Sequence, residues 1–159
     1  MAKLTDQQIF DKVKARFADR KIEFVAGFGD PWIKVEPSAW PDVALFLRDD
    51  PDLKLDYLMC LTAVDFQTHL ASVYNLISTK HVHRSNVHVE VPRDRPFVPT
   101  CEHVWPTANW HEREAYDLVG IKYMGHSDLR RILLPEDWEG FPLRKDYDFP
   151  KEYHGIPLY

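Results

Sequence analysis

Cysteine is scarce: only Cys60 and Cys101 occur in 159 residues, and neither stands in a Cys-x-x-Cys pair, so no closed thiolate metal set can be assembled from sequence neighbours. Basic excess is lacking as well. The formal net charge is -5, which argues against a protein whose affinity comes from neutralising phosphates. No apolar run approaches the roughly 20 residues needed to span a bilayer, and no leading apolar segment of secretory type is present. These absences predict an intracellular chain with reduced thiols, held at a membrane only through another component.

What is present fits one folded domain. The composition is 45% hydrophobic and 28% charged, close to the globular average and unlike a disordered chain. There is no internal repeat and no low-complexity tract.

The first periodic stretch follows Thr5-Asp6-Gln7-Gln8, which reads as a capped helix entry. Ile9, Val13, Phe17 and Ala18 continue it, predicting a helix over 5–19. In "IEFVAGFGDPWIKVEP", β-rich residues flank Gly27, Gly29, Asp30 and Pro31, the mark of an antiparallel hairpin. Ser38 then precedes "AWPDVALFLRDDP", where Trp40, Val43, Ala44 and Leu47 repeat at helical spacing and Pro51 supplies the stop. Three β-like runs fill residues 53–92, with turns near 67–69 and 81–85. In the last of them Val87, Val89 and Val91 alternate with His88 and Glu90, giving one buried and one wet face.

Prolines at 92, 96, 99 and 106 predict an irregular passage with a short helical turn near His103. Asn109, three residues before Glu112, then reads as a cap for a helix that ends at Gly120. The fold expected is α+β: a single two-layer domain in helix-β-β-helix-β-β-β order with a mostly antiparallel or mixed sheet, a further helix and an extended C-terminal tail. Residues 1–120 form the domain and 121–159 the extended segment. The aromatics Trp138, Phe141, Tyr147, Phe149 and Tyr153 predict that this segment docks on something.

Three constellations are candidates for chemistry. His81, His83 and His88 offer an H-x-H spacing that places two ligands on one strand face, but no complete ligand set accompanies them, and solvated histidines on a turn are the simpler reading. Glu114 and Asp117 are helical neighbours of like charge, which predicts a cationic partner such as Arg130, Arg131 or Arg144. A general acid and base pair is the alternative, without a nucleophile or phosphate loop beside it. Finally, "DLRRILLPEDWEGFPLRKDY" mixes arginine, aromatics and carboxylates in the manner of an interface that anchors a partner; a tail folded back on its own domain is the competing reading.

Residues 99–147 resemble the 30 kDa subunit family of the proton-translocating NADH:quinone oxidoreductase, respiratory complex I. The likeness runs through "PTCEHVWPTANWHEREAYDLVGI", in which "EREAYDLVGI" is similar to the family signature, and on through "GHSDLRRILLPEDWEGFPLRKDY". Ser127 stands where the family commonly has proline, and Phe141 where a histidine often follows the glycine. The order of helices and strands before residue 99 is also similar to the family's small α+β domain.

The resemblance implies a subunit with no catalytic, metal or cofactor site of its own. It is a hydrophilic scaffold of the peripheral arm, lying against the large 49 kDa-type quinone-site subunit and neighbouring iron-sulfur subunits. FMN and the clusters reside in those partners, and quinone is the substrate of the whole complex. Two cysteines agree with this, since a cluster needs four thiolates. Attachment is to the cytoplasmic side of the inner membrane, through the complex. On this reading Arg130, Arg131, Glu136, Asp137, Trp138, Arg144 and Lys145 contribute to docking, directly or by shaping the tail, and Glu112, Glu114 and Asp117 hold helix and tail together by ion pairs. A scaffold of a related membrane-bound hydrogenase or other donor-linked complex is the alternative, with a free-standing histidine-metal enzyme behind it.

Overall fold

A computed structural model describes residues 3–27 and 29–158. Helix α1 (Asp6–Arg16) starts with the reciprocal capping box read from Thr5 and Gln8, and buries Ile9 and Val13. It stops short of residue 19 because Phe17 leaves helical geometry and lays its ring edge-on to Phe46, 5.7 Å between centroids. Strands β1 (Ile22–Val25) and β2 (Trp32–Val35) form the antiparallel hairpin; of its turn, Phe28 lies outside the described residues. Helix α2 (Trp40–Asp49) is preceded by Ala39 without a side-chain cap, and Pro41 in its first turn supplies a ready-made helical φ instead of Ser38.

Strands β3 (Tyr57–Asp65), β4 (Leu70–Ile77) and β5 (Arg84–Val91) complete a five-stranded sheet of order β1-β2-β5-β4-β3. Its β2–β5 pair is parallel and the others antiparallel, so the sheet is mixed. The chain leaves β2, crosses through α2 and the β3–β4 hairpin, and only then returns beside β2. Val87, Val89 and Val91 on β5, Ile33 and Val35 on β2, and Leu70, Tyr74 and Leu76 on β4 are buried in one core with Trp40, Val43, Ala44 and Leu47 of α2. Each of the valine, leucine and isoleucine side chains contributes roughly 1.5–3 kcal/mol by leaving water. Trp40 meets Tyr74 at 4.3 Å between ring centroids.

The proline-rich passage holds a strand that the sequence does not announce. β6 (Phe97–Pro99) pairs in parallel with β7 (Lys122–Met124), and α3 (Ala108–Val119) is the crossover between them. The prolines are harmless because the bonds that join the pair use Pro96 as acceptor, from Lys122, and Thr100 as donor, to Met124. Ile121 and Tyr123 are buried, so the packed body continues past Gly120. Beyond β7 the described residues are irregular except for the two-residue pair β8 (Glu152–Tyr153) and β9 (Ile156–Pro157). Among the described residues no helix is long and apolar enough to cross a membrane.

The histidine reading needs correction. His81 and His83 are not solvated: they are 8% and 0% exposed, their rings stack 5.6 Å apart, and each Nε2 meets a backbone oxygen, of Pro51 and Leu53 respectively. His88 is directed elsewhere, stacked on Trp32 at 4.7 Å. The described residues contain no group of three or more histidine, cysteine or carboxylate side chains placed to hold a metal.

Candidate functional site

The charged and aromatic stretch of the sequence gathers around α3. Asn109 is not its cap. The helix begins at Ala108 after Thr107, and the Asn109 amide donates to Glu102 at 2.6 Å. Nor does Glu112 reach the tail. Its fully buried carboxylate accepts from the Thr100 hydroxyl at 2.5 Å and the Cys101 backbone N–H at 2.8 Å, bracing the helix against the end of β6. Burial pushes the Glu112 carboxyl above its usual range, and those donors only partly counter it. Glu114 is exposed and has no ion-pair partner among the described residues, because the tail covers the flank of α3 one turn-step away from it.

Asp117 occupies that covered flank. One carboxylate oxygen takes the Arg131 guanidinium at 2.8 Å, and the other accepts three consecutive backbone N–H groups, from Ile132, Leu133 and Leu134, at 3.0, 2.7 and 2.9 Å. Burial works to raise this carboxyl, but the donors outweigh it and hold the group below its usual range. Arg131 also donates to the Trp138 and Gly140 carbonyls at 2.7 and 3.0 Å. Arg113, on the same flank, donates to the carbonyls of Arg130 and Arg131. Residues 130–140 are thereby folded against the helix from both ends.

Gly120 ends α3 in the left-handed region at φ 82°, and its missing side chain has a second use. A Cβ there would lie 2.6 Å from the Phe141 ring and 2.8 Å from an Arg144 nitrogen. Arg144 sits 4.8 Å from the Phe141 ring centroid and donates from Nε to the Val119 carbonyl at 2.7 Å. Farther on, the buried Asp65 at the end of β3 accepts from the Gln67 and Lys145 backbone N–H groups, at 2.7 and 2.9 Å, and from Arg93. Arg93 in turn pairs with Asp146 at 2.6 Å. The tail is therefore fixed at Asp117, at Gly120 and at Asp65.

Of the remaining docking candidates, Arg130, Glu136, Asp137 and Lys145 are exposed. Arg130 pairs with Asp128 on the surface at 2.9 Å. Asp137 accepts from Tyr153 and meets His154, at 2.8 and 2.7 Å. Trp138 is half-buried beside Tyr153, 5.3 Å between rings, with its indole N–H buried and without a partner among the described residues. Sequence reasoning passed over Asp65 and Arg93, which lie far from the motif in the chain, and over the exposed apolar groups Trp110, Leu133, Leu143 and Ile156, which stand 60–69% exposed as does Phe149, one of the tail aromatics expected to dock. Trp110 and Leu133, with His111, Glu114 and Ile132, line an open cavity of about 420 Å³.

The geometry presents an ion-pinned surface with apolar side chains standing on it.

The comparisons with known proteins agree with the resemblance read from the sequence. The family model for the respiratory-chain NADH dehydrogenase 30 kDa subunit matches residues 33–153. The C subunit of the NADH-quinone oxidoreductase of Chlorobium phaeobacteroides is 49% identical over 153 residues, covering 94% of this chain and 92% of that one. Its counterpart in Roseiflexus sp. is 41% identical over 146 residues, 90% of this chain and 84% of the other. Among solved structures, a trypsin-resistant fragment (1–134) of Nqo5 superposes with a TM-score of 0.64 at 27% identity, over 77% of this chain and 98% of the fragment. A chain of an archaeal membrane-bound sulfane sulfur reductase shares the fold, with a TM-score of 0.70 at 21% identity over 89% of this chain and 85% of that one. With its signature helix, its mixed sheet and these relatives in agreement, the chain belongs to the 30 kDa subunit family of the respiratory-chain NADH dehydrogenase, as a peripheral-arm subunit of NADH-quinone oxidoreductase.

Proposed function

We propose that the chain is a scaffold without an active site of its own, docking through residues 121–159 and the outer face of α3 on the large quinone-site subunit and its iron-sulfur neighbours. In that role it supports electron transfer from NADH, through FMN and clusters held by partner subunits, to quinone, coupled to proton translocation. It reaches the cytoplasmic side of the inner membrane through the complex.

One observation carries this reading. Large apolar side chains stand 60–69% exposed on and beside a tail segment that three internal anchors hold in a fixed shape. Such a surface is already ordered before a partner arrives, so little conformational entropy opposes docking. On this reading Arg131 and Asp117 shape the tail, while the exposed Glu136 and Lys145 and the half-buried Trp138 belong to the docking surface.

The test is affinity purification of a tagged chain from native membranes in mild detergent, comparing the full chain with one cut before Leu143. Recovery of a large quinone-site subunit with cluster and flavin subunits by the full chain, and its loss on truncation, is the expected result. Equal recovery by the cut chain would overturn the docking role of the tail.

A further inference from the structure

Among the described residues, the anchored tail leaves the Arg144 guanidinium without a carboxylate partner. In the C-terminal half, Arg131 is neutralised by Asp117, Arg130 by Asp128, and the covered Arg113 ends on two backbone carbonyls. Arg144 is half-buried, yet its only acceptor among the described residues is the Val119 carbonyl, reached from Nε. Among those residues, its two terminal nitrogens have neither a carboxylate nor a carbonyl.

The surroundings make this more than a loose surface arginine. Phe141 lies under the guanidinium at 4.8 Å, and Gly120 removes the side chain that would push it away. The plane is therefore held, and the fork of donors is pre-oriented. Burial, together with the nearby Arg93 guanidinium, disfavours the charged form, and Asp146 and Asp65 compensate only in part. Asp65 already accepts from two backbone N–H groups and Arg93, and Asp146 pairs with Arg93. Lys145 adds a further exposed cation beside the shallow cavity lined by Gln67, Arg93 and Asp146. The corner thus holds three cations against two engaged carboxylates, with the exposed Leu143 next in sequence.

We infer that Arg144 is the receptor for a carboxylate side chain of a neighbouring subunit, seated bidentately on its two free terminal nitrogens. This rests on the docking reading and gives it a chemistry: the partner brings an aspartate or glutamate to this corner, beside an apolar contact on Leu143. A planar fork with a fixed orientation favours a carboxylate over a neutral acceptor, and a pair closed off from water by docking discriminates strongly against its loss.

Two variants in the assembled complex test it. With Arg144→Gln, recovery of neighbouring subunits from native membranes should fall roughly tenfold or more, while the melting temperature of the isolated chain reports separately on folding. With Arg144→Lys, a carbodiimide, which activates a carboxylate so that the amine of a lysine in contact with it displaces a urea and forms an amide, should produce a link from residue 144 to an aspartate or glutamate of another subunit, located by peptide mass spectrometry. Parental recovery with Arg144→Gln would overturn the inference, as would an Arg144→Lys complex that carries links from Lys145 and none from residue 144. Should Arg144→Gln fail to fold, the cross-link alone decides. If the unaltered chain recovers no neighbours at all, the docking reading itself fails, a result distinct from either of these.

Discussion

The Arg131 guanidinium lies 2.8 Å from the fully buried Asp117 carboxylate, and the same carboxylate gathers three successive backbone N–H groups of the chain that follows. A single residue on α3 thus fixes both the direction and the first turn of the tail. Asp117→Asn removes the charge and turns one oxygen into a donor facing donors. It is expected to cost about 3 kcal/mol, the scale for breaking one side of a buried, hydrogen-bonded pair. Urea unfolding measures it, and a change under about 0.5 kcal/mol would show that Asp117 is no anchor.

The pH dependence of that anchor follows from its direction of shift. Asp117 titrates below the ordinary aspartate value of 3.8 in the folded chain, so its contribution is complete above that value and is lost as pH falls through the lower, folded one. Asp65 is held down in the same way, its donors overcoming burial. The stability difference between the parent and Asp117→Asn should therefore be constant near neutrality and shrink below about pH 4. Melting curves of the two chains at pH 7, 5 and 3 decide the matter; a gap that closes between pH 7 and 5 contradicts the assignment.

Gly120 was legible as a helix stop but not as a docking surface for the tail. Gly120→Ala meets both demands at once: an alanine in the left-handed region costs about 1 kcal/mol, and its Cβ would lie 2.6 Å from Phe141. The ring and Arg144 must move, so the tail from 141 onward is expected to become accessible. Faster tryptic cleavage after Arg144 and Lys145, with α1 to β5 still protected, is the expected pattern. Unchanged cleavage would mean that Phe141 does not depend on the helix end.

How far the sequence carried depends on the range over which each signal acts. The capping box at Thr5 and the alternation of Val87, Val89 and Val91 are local, and both translate directly into structure. The Asn109 reading failed by the same logic. Asparagine three residues before glutamate has the form of a cap, but Glu102 and Thr100, which come near only in the folded chain, take those side chains instead. Likewise Glu114 and Asp117 share a helix flank in projection, and only the path of the tail decides which is covered. Asp65 and Lys145 are 80 positions apart, beyond any periodicity, so that anchor had no sequence signal.

The two stacked histidines give a separate prediction. Burial lowers the basicity of His83 below the ordinary value of 6.5, its bond to the Leu53 carbonyl opposing this only in part. A base with a depressed folded value contributes stability that is whole above 6.5 and is lost as pH falls through the folded value. His83→Gln, which keeps a donor for Leu53 without the titration, should melt below the parent at pH 8 and approach it at pH 5. Parallel melting curves across that interval would remove His83 as the cause.

Glu112 is the opposite case, and it separates the value of a hydrogen-bond acceptor from the cost of a buried charge. Its carboxyl is pushed up by burial, so whatever it contributes is fullest below its unfolded value of about 4.5 and declines as pH rises through the folded one. Glu112→Gln retains an oxygen for the Cys101 N–H, and the Thr100 hydroxyl can rotate to accept from the new amide. It is expected to fold with parental stability or better at pH 7 and with weaker dependence on pH. Glu112→Ala leaves the Cys101 N–H and the Thr100 hydroxyl buried without a partner and opens a cavity beside β6, which together cost about 2–4 kcal/mol. If both variants lost the same amount, the charge itself would be stabilising, and the cluster around Glu112 would be a buried ion pair with His126, 4.0 Å away, rather than a braced acceptor. Urea unfolding of the three chains at pH 5 and pH 8 distinguishes the two.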